Sequence, residues 1–221
     1  MNFGVRRKPK TPRATTRANG DATRERLLDA AETLFGEQTF DTVSLRDITR
    51  KAGVAVALAS YHFGSKEALF RECVARRAAI LGELRRQRLS QLGPKADAEE
   101  VLDAFMRPVF EQIRQGKEGW PAFLRIVSRL AYDEQWIALL REHFEATGQM
   151  FVERLAAAMP EVRHEAVARG FALSLDAMLQ TLSRNRRVDS LSAGAVSADD
   201  LEPAYAALIR FSVAGIRGLA G

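Results

Sequence analysis

Cysteine is almost missing from this 221-residue chain. Cys73 stands alone, which excludes an intrachain disulfide and a cysteine metal cluster and fits a reducing compartment. Histidine is nearly as scarce: His62, His143 and His164 are too widely spaced to place two ligands on one helical turn, so no metal site is expected. Long apolar runs are lacking too. The longest stretch without a charged side chain is the 14 residues 52–65, short of the ~18 to 20 that a membrane span needs, so no membrane partner is expected. The first twenty residues hold no acid and no apolar core of a secretory signal, which makes the cytoplasm the expected location. Catalytic signatures are absent as well: there is no His-Glu-x-x-His, no Gly-x-Ser-x-Gly and no dinucleotide glycine run, and Gly116-Lys117 lacks the other residues of a phosphate loop. Neither an enzyme nor a cofactor is expected.

What is present is a chain with 47% hydrophobic and 28% charged residues, enough for one good core and a second small one. The net charge of +5 is unevenly spread. Residues 1–20 carry +6, residues 21–70 carry −2, residues 71–93 carry +4 and the remainder −3. A basic arm with proline and threonine but no apolar periodicity is expected to be disordered in isolation over residues 1–20. Nucleic acid is one partner that would order it, and a solubilising tail is the alternative.

Helix-period spacing recurs almost continuously, and strand-like alternation of useful length is absent, so the chain reads as all-α. From Ala22, Leu27, Leu28, Ala31, Leu34 and Phe35 follow the i, i+3, i+4, i+7 rule, defining a first helix that ends near Gln38. Ser44 followed by Asp47 caps a short helix over about 45–51. Gly53 permits a positive φ at the break before a second short helix over about 55–61. Ser65 then opens a long helix that Gly93-Pro94 ends. Further helices are expected at about 97–115, 120–132, 134–158, 162–184 and 199–218, with a polar loop at 185–198.

Two short helices around a glycine turn, held between a first helix and a long fourth, form a helix-turn-helix whose second helix fits the DNA major groove. The run Thr23-Arg24-Glu25-Arg26-Leu27-Leu28-Asp29-Ala30-Ala31, then Leu34-Phe35, Ser44-Leu45-Arg46-Asp47-Ile48, Ala52-Gly53-Val54 and Tyr61-His62-Phe63-Gly64-Ser65-Lys66-Glu67-Ala68-Leu69-Phe70 resembles the N-terminal domain of TetR-type transcriptional regulators. The resemblance implies a homodimeric, ligand-responsive repressor on double-stranded DNA. It places an N-terminal helix-turn-helix domain at residues 21–70 and a helical effector-binding and dimerisation domain at 71–221.

Carried over by position, Ser44 and Arg46 fall where the family touches a phosphate and a base edge, and the Arg46 guanidinium matches guanine O6 and N7. Tyr61, His62 and Lys66 fall at phosphate contacts; His62 reads equally as a structural histidine. A cation such as Lys66 in a helix's first turn opposes the macrodipole, which a bound phosphate would relieve, although Glu67 already supplies negative charge there. The sequence also departs from the pattern. Thr39 stands where the family usually ends the first helix with glycine, so a different turn is expected there. In the recognition helix, Ala55, Val56 and Ser60 replace the usual Ser/Thr, Lys and Tyr, and Ser60 is still expected among the residues that contact DNA. Val56, Ala57 and Leu58 can touch thymine methyl groups but not hydrogen-bond to bases, so partly methyl-based readout of an A·T-containing palindrome is expected.

Residues 123–133, His143-Phe144, Phe151, Arg154-Leu155 and Met159-Pro160 resemble the fatty-acid-responsive, PsrA-like branch, which implies a small apolar effector such as a fatty acid or acyl-CoA. Phe105, Met106, Phe110, Trp120, Phe123, Val127, Phe144, Phe151 and Phe171 are the expected pocket lining; read as residues alone, aromatics at helical spacing are ordinary core. Arg125 and Arg129 project away from that apolar face, toward solvent or a neighbouring helix. Small residues at helical spacing, including Gly170, Ser174 and Ala207, favour close helix packing over residues 162–184 and 199–218. The family places its dimer interface there; packing within one chain is the alternative. A helical adaptor without sequence-specific DNA binding remains the rival class.

Overall fold

The computed structural model describes residues 13–184 and 186–220, with side chains from Asn19 onward; most of the basic arm lies outside the described residues. Among the described residues the protein is all-helical. Helices α1 (Arg13–Glu37), α2 (Leu45–Ala52), α3 (Val56–Phe63) and α4 (Lys66–Gln91) form the N-terminal part. They are followed by α5 (Ala98–Arg114), α6 (Trp120–Leu130), α7 (Ile137–Leu140), α8 (Ala146–Ala158), α9 (His164–Leu182), α10 (Arg187–Leu191) and α11 (Leu201–Arg217).

The short helices form where local chemistry satisfies their ends. Ser44 accepts from the Asp47 amide at 3.2 Å while the Asp47 carboxylate accepts the Ser44 amide at 3.2 Å, a reciprocal cap on α2. Gly53 ends α2 in the left-handed region at φ 66°, donating to Arg50 O, and Val54 donates to Thr49 O. Ser65 caps α4 through the Ala68 amide at 3.0 Å.

Three expectations need correction. Helix α1 begins at Arg13, not near residue 22, so residues 13–20 belong to a helix and not to the arm; no proline interrupts the sequence between Arg13 and Glu37. The helix expected over 134–158 is broken into a 3-10 turn (Glu134–Trp136), α7, a π turn (Arg141–Glu145) and α8. The wider turn carries Phe144, which packs against both core clusters. The loop expected at 185–198 contains α10, and it closes on its own side chains: Asp189 accepts the Ala198 amide at 2.6 Å and Ser192 the Val196 amide at 2.9 Å.

Thr39 is not left-handed, so the end of α1 does depart from a glycine cap. Its last carbonyls are satisfied from a distance instead. Arg125 Nε donates to Gly36 O at 2.9 Å, and Arg129 donates to Phe35 O. The two α6 arginines therefore meet a neighbouring helix. Gly36 makes the approach possible, because a Cβ there would stand 2.5 Å from the Ala122 Cβ.

Two clusters of buried side chains result. One lies in the C-terminal part, among α5, α6, α8, α9 and α11. The other fills the N-terminal part with Leu27, Phe35, Ile48, Phe63 and Phe70, yet it also takes Ile126, Leu130, Trp136 and Leu139 from the C-terminal part. Trp136 packs against Phe70 and Phe40 at ring separations of 4.7 and 5.0 Å.

Candidate nucleic-acid interface

Helix α3 splits cleanly into two faces. Ala59 and Phe63 are buried, whereas Val56, Ala57, Leu58, Ser60 and Tyr61 are exposed, Tyr61 by 81%. Five of the expected contact residues thus share one open surface. Val56, Leu58 and Tyr61 put apolar surface on that open side of α3. On α2, Arg46 is exposed and has no ion pair among the described residues, while Arg50, one turn on, pairs with Asp47 at 3.1 Å.

The remaining expected residues are more committed. Both Ser44 donors go to Asp47: the hydroxyl at 2.5 Å and the amide at 3.2 Å. These hydrogen bonds hold the Asp47 carboxyl below the usual aspartate range, with Arg50 adding to the effect. His62 is half-buried, with its ring beside Tyr61 and Phe63. The Lys66 ammonium donates to Phe40 O at 2.8 Å and sits 4.2 Å from the Phe40 ring centroid. It ties the first turn of α4 to the loop after α1, which offsets its unfavourable place at a helix N-terminus.

Where α1 meets α4 and the segment before α6 lies a charge cluster that the sequence reading missed. Glu32 on α1 is buried, and its carboxylate accepts from Arg77 at 2.7 Å on each oxygen and from Arg76 at 3.2 Å. Arg77 also donates to Glu118 O at 3.0 Å, just before α6, and Arg76 reaches Glu25 and Asp29 at 2.9 and 2.8 Å. Gly119, at φ 81°, closes over the pair, since a Cβ there would collide with both Glu32 and Arg77. The usable signal was Glu32 one residue after Ala31, on the apolar stripe of α1.

In the C-terminal part, Phe105, Met106, Phe110, Trp120, Phe123, Phe151 and Phe171 are buried, and Val127 and Phe144 are partly so. They pack on one another: Phe105 meets Phe151 and Phe171 edge-on at 5.0 and 4.9 Å, and Trp120 meets Phe123 at 5.7 Å. Grooves of about 640 Å³ beside α4, α5 and α11 and about 690 Å³ among α9, α10 and α11 are lined by other residues. The first is polar, with Asp103 accepting from Arg107 and Tyr205 at 2.6 and 2.9 Å. Burial and the Asp103 charge push the Tyr205 hydroxyl up, keeping it a donor. Sequence reading also missed Arg85, which continues the buried α4 series Ala78, Leu81 and Gly82 at helical spacing.

The small residues of α9 serve packing within the chain. A Cβ on Gly170 would lie 2.7 Å from Ile216 of α11, and Ser174 donates to Gly170 O at 2.8 Å. The outer faces of these helices leave Leu173 and Phe211 exposed by 59% and 67%.

Residues 27–73 match the model of bacterial regulatory proteins of the tetR family, and residues 103–215 match the tetracyclin repressor-like C-terminal domain. The HTH-type transcriptional regulator BetI of Rhizobium meliloti (strain 1021) is 29% identical over 182 residues, covering 82% of this chain and 88% of that protein. BetI of Agrobacterium fabrum is 34% identical over 103 residues, or 45% and 48% of the two chains. Among solved structures, a TetR-like transcriptional regulator from Rhodococcus sp. RHA1 superposes with a TM-score of 0.64 at 19% identity, over 96% of this chain and all of that one. The fatty acid degradation regulator FadR from Bacillus halodurans does so at 0.59 and 14% identity, over 89% and 97%. At these identities the structures speak for the fold. The two domain matches, joined on one chain in this order, carry the assignment: this is a DNA-binding transcriptional regulator, and it belongs to the tetR family.

Proposed function

We propose that this regulator is a cytoplasmic homodimeric repressor, held on a palindromic operator through α2 and α3 and released by a small apolar effector. The observation that carries the reading is the exposed face of α3, with Tyr61 standing out by 81% while Ala59 and Phe63 anchor the helix. Arg46 reads a guanine, and Val56, Ala57 and Leu58 contact thymine methyl groups. Tyr61, His62 and Lys66 hold phosphates, Lys66 with the ammonium N–H groups left over from Phe40 O. Ser44 acts by fixing the start of α2, because its donors are engaged by Asp47.

A dimer through the outer faces of α9 and α11 would cover Leu173 and Phe211. Its two-fold axis would set two α3 helices on half-sites about one DNA turn, ~34 Å, apart. The effector, a fatty acid or acyl-CoA in this reading, enters by parting the aromatic side chains around Phe105, Phe151 and Phe171. No helix among the described residues is long and apolar enough to cross a membrane.

The test is selection of bound sites from random duplex DNA, followed by titration of the selected site with wild type and Arg46→Ala. A single palindrome should emerge, its affinity should fall with salt, and the variant should bind on the order of 10- to 100-fold more weakly with its fold intact. Equal binding to all duplexes, or to none, would favour the adaptor; an unaffected variant would remove Arg46 from the contact set.

A further inference from the structure

We propose that Arg85 is an anion subsite inside the C-terminal core, built to take the carboxylate of an otherwise apolar effector. The inference deepens the small-effector reading above and rests on it.

Arg85 is 4% exposed on the core-facing side of α4. Its Nε donates to Phe105 O at 2.9 Å, and its guanidinium carbon lies 3.6 Å from the Phe105 ring centroid. A guanidinium presents five N–H donors, so one carbonyl and one ring face leave most of it unanswered. Partly buried arginines of α4 and α5 are answered by acids: Arg77 by Glu32, Arg107 by Asp103, Arg88 by Glu111. Arg85 has no ion pair among the described residues. Burial pushes its pKa down to about 9, with no carboxylate acting in the opposite direction as Asp103 does for Arg107.

A buried cation without a counter-charge is costly unless a partner arrives. The surroundings define that partner. Phe105, whose ring Arg85 covers, meets Phe151 and Phe171 edge-on, so the guanidinium borders a cluster of aromatic side chains that an apolar ligand would have to part. One turn back on α4, a Cβ on Gly82 would stand 3.3 Å from Arg86 Nη1, whose charge is answered by Glu83, and 3.6 Å from the Thr147 hydroxyl oxygen, a second buried polar group. Thr147 lies two residues beyond the π turn of residues 141–145, a widening often found at functional sites. A single positive charge is balanced by a single negative one, and the guanidinium fork fits a carboxylate through two parallel hydrogen bonds. The ligand class is therefore a monocarboxylate with an apolar body.

The test compares decanoate with decanol, by calorimetric titration and thermal melting, on wild type, Arg85→Met and Arg85→Lys. Methionine keeps the apolar stem without the charge, and lysine keeps the charge without the fork. Wild type should bind decanoate on the order of 30-fold or more tightly than decanol. Arg85→Met should lose that preference while still binding decanol, and Arg85→Lys should retain part of it. If wild type binds both compounds equally, or if Arg85→Met keeps the preference for the acid, the anion subsite is overturned and the apolar effector survives. If neither compound binds wild type, the apolar-effector reading falls as well. Failure of Arg85→Met to fold leaves the wild-type comparison and Arg85→Lys to decide: an acid preference that lysine leaves wholly intact also overturns the assignment.

Discussion

Replacing Glu32 by alanine removes the acceptor on which two cations converge. Arg77 loses both hydrogen bonds of 2.7 Å and keeps only the Glu118 carbonyl and its position 5.3 Å from the Trp120 ring centroid. Arg76 loses one contact but retains Glu25 and Asp29 at the protein's edge. Breaking a buried ion pair from one side typically costs about 3–5 kcal/mol, because the remaining charge stays desolvated. The arginine side chains are 15% and 20% exposed, so some water reaches them and the low end, about 3 kcal/mol, applies. For a chain of this length that is a fall in Tm of about 6–12 °C. Thermal and urea unfolding followed by far-ultraviolet circular dichroism measure it directly. The double variant Glu32→Ala/Arg77→Met should be less destabilised than the sum of the two single variants, since no orphaned charge remains at Arg77. A loss below about 1 kcal/mol, or strict additivity of the two substitutions, would refute the cluster as a desolvated, mutually dependent unit.

Two further substitutions probe the N-terminal part. Ser44→Ala should cost about 1 kcal/mol at neutral pH by removing the α2 cap. Because Asp47 is held below its ordinary pKa by Ser44, its stabilising contribution is complete above the unfolded value and is lost as pH falls through the folded one. The gap between wild type and Ser44→Ala should therefore narrow in the acid limb below about pH 4, and a constant gap in pH-dependent urea melts would reject the linkage. Gly36→Ala forces a methyl group to 2.5 Å from the Ala122 Cβ and 2.7 Å from its Cα. It should destabilise by about 1–3 kcal/mol and loosen the Arg125 and Arg129 contacts, seen as faster amide exchange at the end of α1. Unchanged stability would show that α6 yields without cost.

Much of the helix-turn-helix was legible because its signals are local. Ser44 with Asp47, Gly53 and Ser65 each act within a few residues, so their chemistry can be read along the chain. The end of α1 was only half legible: Thr39 announced a departure, but the arginines that answer it lie 89 and 94 residues away. The break at residues 141–145 has neither glycine nor proline to mark it and follows from Phe144 packing between two cores. Lys66 shows the limit of positional carry-over, since its carbonyl partner, Phe40, lies in a loop of no distinctive composition. Arg85 was visible in principle as a charged residue in register with Ala78, Leu81 and Gly82, but in a run rich in arginine its position did not set it apart.

The aromatic and aliphatic side chains that α6 and the Trp136 turn lend to the N-terminal core make the reading head a shared construction and not a detachable part. Cut after α4's first turns, it would lose Ile126, Leu130, Trp136 and Leu139 and leave two backbone carbonyls of α1 unmet. A chimera that grafts this head onto another sensor must carry the matching face of α6 with it, and a sensor borrowed without that face would receive a head that melts before it reaches DNA.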